Sequence, residues 1–173
     1  MLSKILNALL VLLAAGLLIN YIYRLPRFDD GESAPTFKAT LMDGSSFDLA
    51  DMKGKYVLLD FWGSWCAPCR RENPEIVKLR QTFGGQQFAD AGGFEVVSIA
   101  IETNEARWKN AIAKDGLSWR YHIAQLDRFD SPIAQLYGVK EIPTKYLLGP
   151  DGNIISVNDS PADIAEFLLS KQK

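Results

Sequence analysis

Apolar residues along the chain fall into segments of several kinds, and the first is an uncharged run over residues 5–23, between Lys4 and Arg24. A helix rises about 1.5 Å per residue, so this run has roughly the length of the 30 Å hydrocarbon core of a bilayer. It also lacks the polar face that a helix packed on a soluble core would show. We therefore expect residues 1–24 to form an N-terminal membrane anchor.

Two alternatives to an anchor stay open for this segment. A cleaved signal peptide needs small residues at its cleavage site, which residues 14–16 (AAG) supply, although the apolar run continues beyond them. A buried core helix is the other alternative. We expect residues 25–34, which are charged and contain Pro and Gly, to be a linker, and residues 35–173 to be one domain. A short anchor before one soluble domain usually translocates that domain, so we place it outside the cytoplasm.

The remaining apolar segments predict an α/β domain with a mixed central sheet flanked by helices. Two nearly continuous apolar runs, residues 56–62 and 94–101, have the length and character of buried central strands. Asp-Gly pairs at 43–44 and 151–152 predict β-hairpins that join residues 36–41 to 46–49 and residues 146–148 to 154–157. Helical spacing predicts helices over residues 69–83 (with a kink at Pro74), 105–114, 132–137 and from 161 onward. The glycine-flanked stretch 84–93 predicts a mobile loop.

Composition and charge narrow the candidate functions. The chain has 173 residues, 47% of them hydrophobic and 23% charged, with a net charge of −2. These values suit one domain with a real core and exclude collagen-like and disordered chains. The near-neutral charge gives no electrostatic footprint for nucleic acid. With two cysteines and one histidine, and no carboxylates at ligand spacing, we expect neither a bound metal nor a cofactor.

Both cysteines lie where the first buried strand gives way to a helix, in the segment WCAPCR of residues 65–70. Unpaired N–H groups and the macrodipole at a helix N-terminus favour an anion, so Cys66 should be the attacking thiolate. Cys69 lies one turn further on and can resolve the mixed disulfide. The alternatives are a structural disulfide, which would close too short a loop to stabilise much, half of a zinc site completed by a second chain, and inert thiols.

The segment FWGSWCAPCRRENP, residues 61–74, resembles membrane-anchored extracytoplasmic thiol–disulfide oxidoreductases of the thioredoxin superfamily. The branch it resembles is TlpA/ResA-like, with the N-terminal hairpin of AhpC/TSA-type redoxins. The resemblance runs from about Ala34 to the last helix and includes residues 49–59 and 133–154. It implies a thioredoxin-like fold with an added N-terminal hairpin.

The resemblance also implies roles for residues outside the Cys pair. Pro143 matches a cis-proline that packs opposite the two cysteines, which leaves the backbone at Ile142 free to pair with an extended partner peptide. Asp60 matches an acid that moves protons to and from the second cysteine, and Glu72 matches an acid with a similar role in ResA-like proteins. For Asp60 the alternative is an incidental acid, and for Glu72 it is a solvated helix residue.

Trp62, Trp65 and Pro68 are predicted to shape the partner-binding surface around Cys66, with core packing as the alternative for Trp62. Lys145 departs from the family pattern close to that surface, where it would bias the charge of preferred partners. His122 is predicted to be a surface or packing residue.

The family implies an enzyme that exchanges disulfides with protein thiols in the bacterial envelope, on the periplasmic side of the inner membrane. A reductant is expected because Pro68 before the second cysteine resembles reductases, and a reductant needs an upstream electron donor in the membrane. Apocytochrome c and misoxidised envelope proteins are the candidate substrates. A peroxiredoxin is the alternative enzyme, although Gly63 and Leu59 stand where its motif needs a hydroxyl residue and a proline. A redox-switched binding module is the non-enzymatic alternative.

Overall fold

The computed structural model describes residues 2–24 and 27–172 of the chain, so the first two residues of the predicted linker, 25 and 26, lie outside the described residues. The helices are α1 (Leu2–Arg24), α2 (Ala67–Phe83), α3 (Glu105–Asp115), α4 (Pro132–Tyr137) and α5 (Pro161–Ser170). The strands are β1 (Lys38–Thr40), β2 (Ser46–Asp48), β3 (Tyr56–Trp62), β4 (Phe94–Ile101), β5 (Tyr121–Gln125), β6 (Thr144–Leu148) and β7 (Ile154–Val157).

The central sheet has five strands in the order β5-β4-β3-β6-β7, and β1 pairs with β2 in a separate hairpin. Strand β4 runs parallel to both β3 and β5, whereas β6 runs antiparallel to both β3 and β7. One hydrophobic core joins the sheet to α2, α3 and α5, and a second joins its opposite face to the β1–β2 hairpin and α4. The mixed sheet flanked by helices that the sequence predicts is confirmed.

Strand β3 is apolar along most of its length because both of its faces are buried. Side chains on a strand alternate between its two faces. Leu58 and Trp62 therefore enter the core beneath α2, while Leu59 and Phe61 enter the core on the opposite face. Every residue of β3 is buried, as expected for a strand covered on both faces.

Two segments differ from their predictions. Strand β5 has no sequence signal, because its five residues, YHIAQ, include polar side chains and only partial burial. It forms by parallel pairing with β4. The stretch 84–93, predicted as a mobile loop, is tied to the core at Phe88, whose buried ring packs against Tyr56 and Phe83.

Proline 74 does not end α2, which continues to Phe83. Helix α3 ends at Gly116, whose positive φ of 69° is the left-handed cap conformation that glycine adopts most readily. A capping box, in which the side chains of Ser160 and Asp163 each bond the other's backbone N–H, closes the N-terminus of α5.

Helix α1 contains a segment, Ser3–Ile22, that is long and apolar enough to cross a membrane, and none of that segment is buried against the domain. This exposure argues against the core-helix alternative. Further along, Gly31 donates to the carbonyl of Ile154, and Ser33 pairs with Asn153, so the chain contacts the domain before residue 35.

Candidate active site

The two cysteines form a disulfide at the N-terminus of α2, with an S–S distance of 2.02 Å. Cys66 is the N-cap residue of α2, and its sulfur accepts a hydrogen bond from the backbone N–H of Cys69 at 3.2 Å. Because this N–H and the helix terminus favour negative charge, the position suits Cys66 as a thiolate after reduction. Cys69 is the more deeply buried of the two, with 2% of its surface exposed.

The loop before β6 faces the disulfide. The Ile142–Pro143 peptide bond is cis, as the resemblance implied, and the carbonyl oxygen of Ile142 lies 3.7 Å from the Cys66 sulfur. Ile142 and Pro143 are partly exposed, and Pro68, which lies between the two cysteines in the first turn of α2, is exposed. The structure therefore brings both cysteines and these three residues together at one accessible place.

The two tryptophans near the disulfide have different environments. Trp62 has no exposed surface and belongs to the core beneath α2, which favours the packing alternative over contact with a partner. Trp65 is 38% exposed, and its indole N–H donates to the carbonyl of Ile101 at 2.7 Å. The guanidinium of Arg128 lies 5.1 Å from the centre of the Trp65 ring. The accessible aromatic surface next to the disulfide is thus Trp65 with a cation on it.

A row of polar side chains crosses the sheet beneath α2. Asp60 on β3 is in register with Lys145 on β6 and with Ser98 on β4, and Ser98 is in register with His122 on β5. Directly paired residues on neighbouring strands point to the same side of a sheet. Since Leu58 belongs to the core beneath α2, Asp60 and its partners in the row share that face.

The row is buried and hydrogen-bonded at several points. The Ser98 hydroxyl lies 3.5 Å from an Asp60 carboxylate oxygen and accepts from the Trp119 indole N–H at 3.2 Å. His122 has no exposed surface and stacks on Trp119, and burial lowers its pKa to about 4. His122 is therefore a neutral packing residue, as predicted.

Lys145 does not lie on the partner-binding surface, which corrects the prediction made from the sequence. It is buried, and its ammonium group donates to both carboxylate oxygens of Glu72 at 2.9 Å. The reason is strand alternation: Lys145 shares the face of Leu147, which points into the core beneath α2. Glu72 is consequently ion-paired to a buried lysine, while 22% of its own side chain remains exposed.

The carboxyl group of Asp60 has a raised pKa. Burial in a low-dielectric core disfavours its charged form and raises its pKa from 3.8 to about 7. The positive charge of Lys145 opposes this rise, while the negative charge of Glu72 adds to it. A carboxyl group that titrates near neutral pH can both accept and release a proton under ordinary conditions.

Two further interactions hold the loop that carries Cys66, and the sequence analysis did not identify them. The buried carboxylate of Glu102 accepts from the backbone N–H of Ser64. Arg70 pairs with Asp115 at the end of α3 and also donates to the carbonyl of Ser64 at 3.3 Å. A usable signal existed for Glu102, because it follows β4 directly and the carboxyl ends of parallel strands meet at one edge of a sheet.

Comparison with known proteins places these observations in a family. Residues 31–157 match the AhpC/TSA family. The chain is 31% identical over 125 residues to the thiol-disulfide oxidoreductase ResA of Bacillus thuringiensis (strain Al Hakam), covering 72% of this chain and 66% of that protein, slightly less than two thirds. It is 29% identical over 167 residues to the ResA of Geobacillus thermodenitrificans, covering 94% of this chain and 90% of that protein.

Solved structures agree on the fold. The thioredoxin domain of a thiol-disulfide oxidoreductase from Bacteroides vulgatus superposes with a TM-score of 0.70 at 28% identity, covering 82% of this chain and 99% of that one. A thiol:disulfide interchange protein from Chlorobium tepidum gives a TM-score of 0.64 at 27% identity, covering 83% and 98%. The predicted thioredoxin-like fold is confirmed.

Proposed function

The chain belongs to the AhpC/TSA family, in a ResA-like branch of the thioredoxin superfamily, and on this premise we propose that it is a thiol–disulfide oxidoreductase acting on protein partners. The observation that carries the proposal is the Cys66–Cys69 disulfide at the start of α2, opposite the Ile142 carbonyl and in the same core as the buried acid Asp60. A purely structural disulfide would need neither the accessible loop beside it nor a titratable acid in the core below.

The proposed reaction begins with the reduced protein. The Cys66 thiolate attacks one sulfur of a partner disulfide, forming a mixed disulfide and releasing the other partner sulfur as a thiolate. Cys69 then loses its proton to Asp60, and its sulfur attacks the Cys66 sulfur. The Cys66–partner bond breaks, the second partner sulfur leaves as a thiolate, and the Cys66–Cys69 disulfide remains. The partner gains two electrons and the dithiol loses two.

Partner binding is assigned to the accessible residues around the disulfide. Trp65 offers an aromatic surface and Pro68 an exposed apolar one. The backbone at Ile142 and Pro143 lies close enough to the Cys66 sulfur to pair with an extended peptide that carries the reacting disulfide. Trp62 would support this surface from beneath.

We further propose that the protein acts as a reductant, and the reduction potential of the Cys66–Cys69 couple tests this. The full chain in detergent micelles would be equilibrated with dithiothreitol and glutathione buffers, with Cys66→Ser as the control that cannot form the disulfide. A potential at or below about −250 mV, close to thioredoxin, is expected for a reductant. A value near about −120 mV would make the protein an oxidant, and the absence of a reversible disulfide would exclude the oxidoreductase itself.

The setting we propose is the bacterial inner membrane, with residues 1–24 as a single anchor, residues 25–34 as the linker and residues 35–173 on the periplasmic side. Support comes from the exposed apolar helix and from the ResA relatives. An upstream membrane electron donor would restore the dithiol, and apocytochrome c cysteines are one candidate substrate. In spheroplasts, added protease should digest the domain of the membrane-bound chain; protection from protease would reverse the proposed orientation.

A further inference from the structure

Three charged side chains from three elements meet beneath α2: the buried Asp60 from β3, the buried Lys145 from β6 and the partly exposed Glu72 from α2. We propose that Lys145 is a positioning residue for proton transfer, because its ammonium group joins Glu72 and Asp60 into one charge cluster that receives the Cys69 proton. This role rests on the proposed oxidoreductase function and extends it to a residue at which the chain departs from its family pattern.

The geometry supports a single cluster rather than a separate ion pair. Lys145 is 4% exposed and donates to both Glu72 oxygens, so its charge is directed into the core and not toward a partner. Directly opposed residues of an antiparallel pair have their Cβ atoms about 5 Å apart, and Asp60 is opposed to Lys145 in this way. Lys145 therefore lies next to both acids at once.

The cysteines share this core. Cys69 and Glu72 are three residues apart on α2, a spacing that puts two side chains on the same side of a helix. Cys69 and Leu58 both belong to the core beneath α2, and Asp60 is on the face of β3 that carries Leu58. The groups that face Asp60 are Lys145 from β6, Glu72 from α2 and the Ser98 hydroxyl from β4.

The positive charge of Lys145 sets the net charge of the cluster in each protonation state of Asp60. With Asp60 ionised, the cluster contains two carboxylates and one ammonium, so its net charge is −1, and protonation of Asp60 makes it neutral. Without the ammonium the same two states would carry −2 and −1, and since Asp60 itself is buried, the ionised form of Asp60 would be disfavoured. Lys145 thus keeps Asp60 able to act as a base near neutral pH, the state needed to take the proton from Cys69.

The rate of the Cys69 step can be followed directly in the full chain in detergent micelles. The reduced protein is mixed with 5,5′-dithiobis(2-nitrobenzoate), and Cys66 forms a mixed disulfide while releasing one coloured thiolate. Cys69 then attacks Cys66 and releases the second thiolate in a phase whose rate does not depend on reagent concentration. The pH at which this second phase reaches half its maximal rate is the quantity compared between variants.

Lys145→Met is expected to move that midpoint upward by about 1 to 3 pH units, the range for losing an opposite charge beside a carboxyl group. Glu72→Gln should move it downward, since a neighbouring negative charge is removed while Lys145 remains. Lys145→Arg, which keeps the charge, should retain the midpoint of the original protein. Lys109→Met is the matched control, because Lys109 forms an exposed ion pair with Glu105 on α3.

A merely structural role of Lys145 would not move the pH midpoint in opposite directions in Lys145→Met and Glu72→Gln. A midpoint that stays in place or falls in Lys145→Met, or one that moves in the same direction in Lys145→Met and Glu72→Gln, would overturn the role of Lys145. If Lys145→Met does not fold, Lys145→Gln and Lys145→Arg carry the same comparison of neutral and charged side chains. Failure of the unaltered protein to release the second thiolate would instead refute the proposed oxidoreductase function. The role of Lys145, which rests on that function, would then be refuted as well.

Discussion

Replacing Asp60 with asparagine is expected to stabilise the folded protein at pH 8, because it removes a carboxylate that is ionised at a cost in the core. Burial raises the pKa of Asp60 from 3.8 to about 7. At 1.36 kcal/mol per pH unit, this difference corresponds to about 4 kcal/mol of unfolding free energy. Asparagine has nearly the same shape and stays neutral at every pH, so it avoids this cost.

The sign of the pH dependence follows from proton binding. Between about pH 4 and pH 7 the folded protein holds a proton on Asp60 that the unfolded chain has already released, so the folded state binds more protons. The contribution of Asp60 to stability therefore falls as pH rises through this window, by up to about 1.4 kcal/mol per pH unit, and levels off above it.

Urea unfolding of the oxidised full chain at a series of pH values, followed by tryptophan fluorescence, measures this effect, since Trp62, Trp108 and Trp119 are buried. The difference between Asp60→Asn and the unaltered protein should grow from near zero at pH 4 to about 4 kcal/mol at pH 8. Asp30→Asn, at an exposed position, is the matched control and should show no such growth. A difference that does not change with pH, or an asparagine variant that is less stable at pH 8, would refute the reasoning.

Three further predictions concern the disulfide and its surroundings. Cys69→Ser should accumulate mixed disulfides between Cys66 and partner proteins, visible on non-reducing gels, whereas a redox-switched binding module would show none. Trp65→Ala should raise KM for a protein disulfide about 10-fold, the effect of losing an exposed aromatic anchor, without changing the rate of reduction by dithiothreitol. Asp115→Ala should lower the unfolding free energy by about 1 to 3 kcal/mol, measured by urea unfolding, because it leaves Arg70 and Asn73 without their shared acceptor. An Asp115→Ala variant as stable as the unaltered protein would contradict this.

The predictable parts of the fold are those in which local pattern and burial agree. Strands β3 and β4 were predicted at their observed bounds, because a strand buried on both faces must be apolar along its whole length. The β1–β2 hairpin followed from its Asp-Gly turn, although its strands are shorter than the pattern suggested. Strand β5 was missed, because a short strand with polar residues is defined by the neighbour it pairs with.

The Cys pair at the start of α2 is a local feature. The two cysteines are three residues apart, and the helix N-terminus that favours the Cys66 thiolate begins at the same place in the chain. Asp60 stands out in the sequence as a charged residue in an otherwise apolar run, but its role as a candidate acid came from the family resemblance. Its altered pKa depends on burial and on charges from β6 and α2, which come from distant parts of the chain.

Lys145 is visible in the local sequence, but its surroundings depend on the tertiary structure. From its position after Pro143 and Thr144 it was expected to face a partner, yet it faces the core and pairs with Glu72. Which face of β6 it occupies depends on the register of β6 against β3, and a change of one residue in that register would turn Lys145 to the opposite face. Local sequence therefore specified the reacting cysteines, while the pairing of distant strands decided which charges surround them, because electrostatic interactions depend on distances that only the folded chain creates.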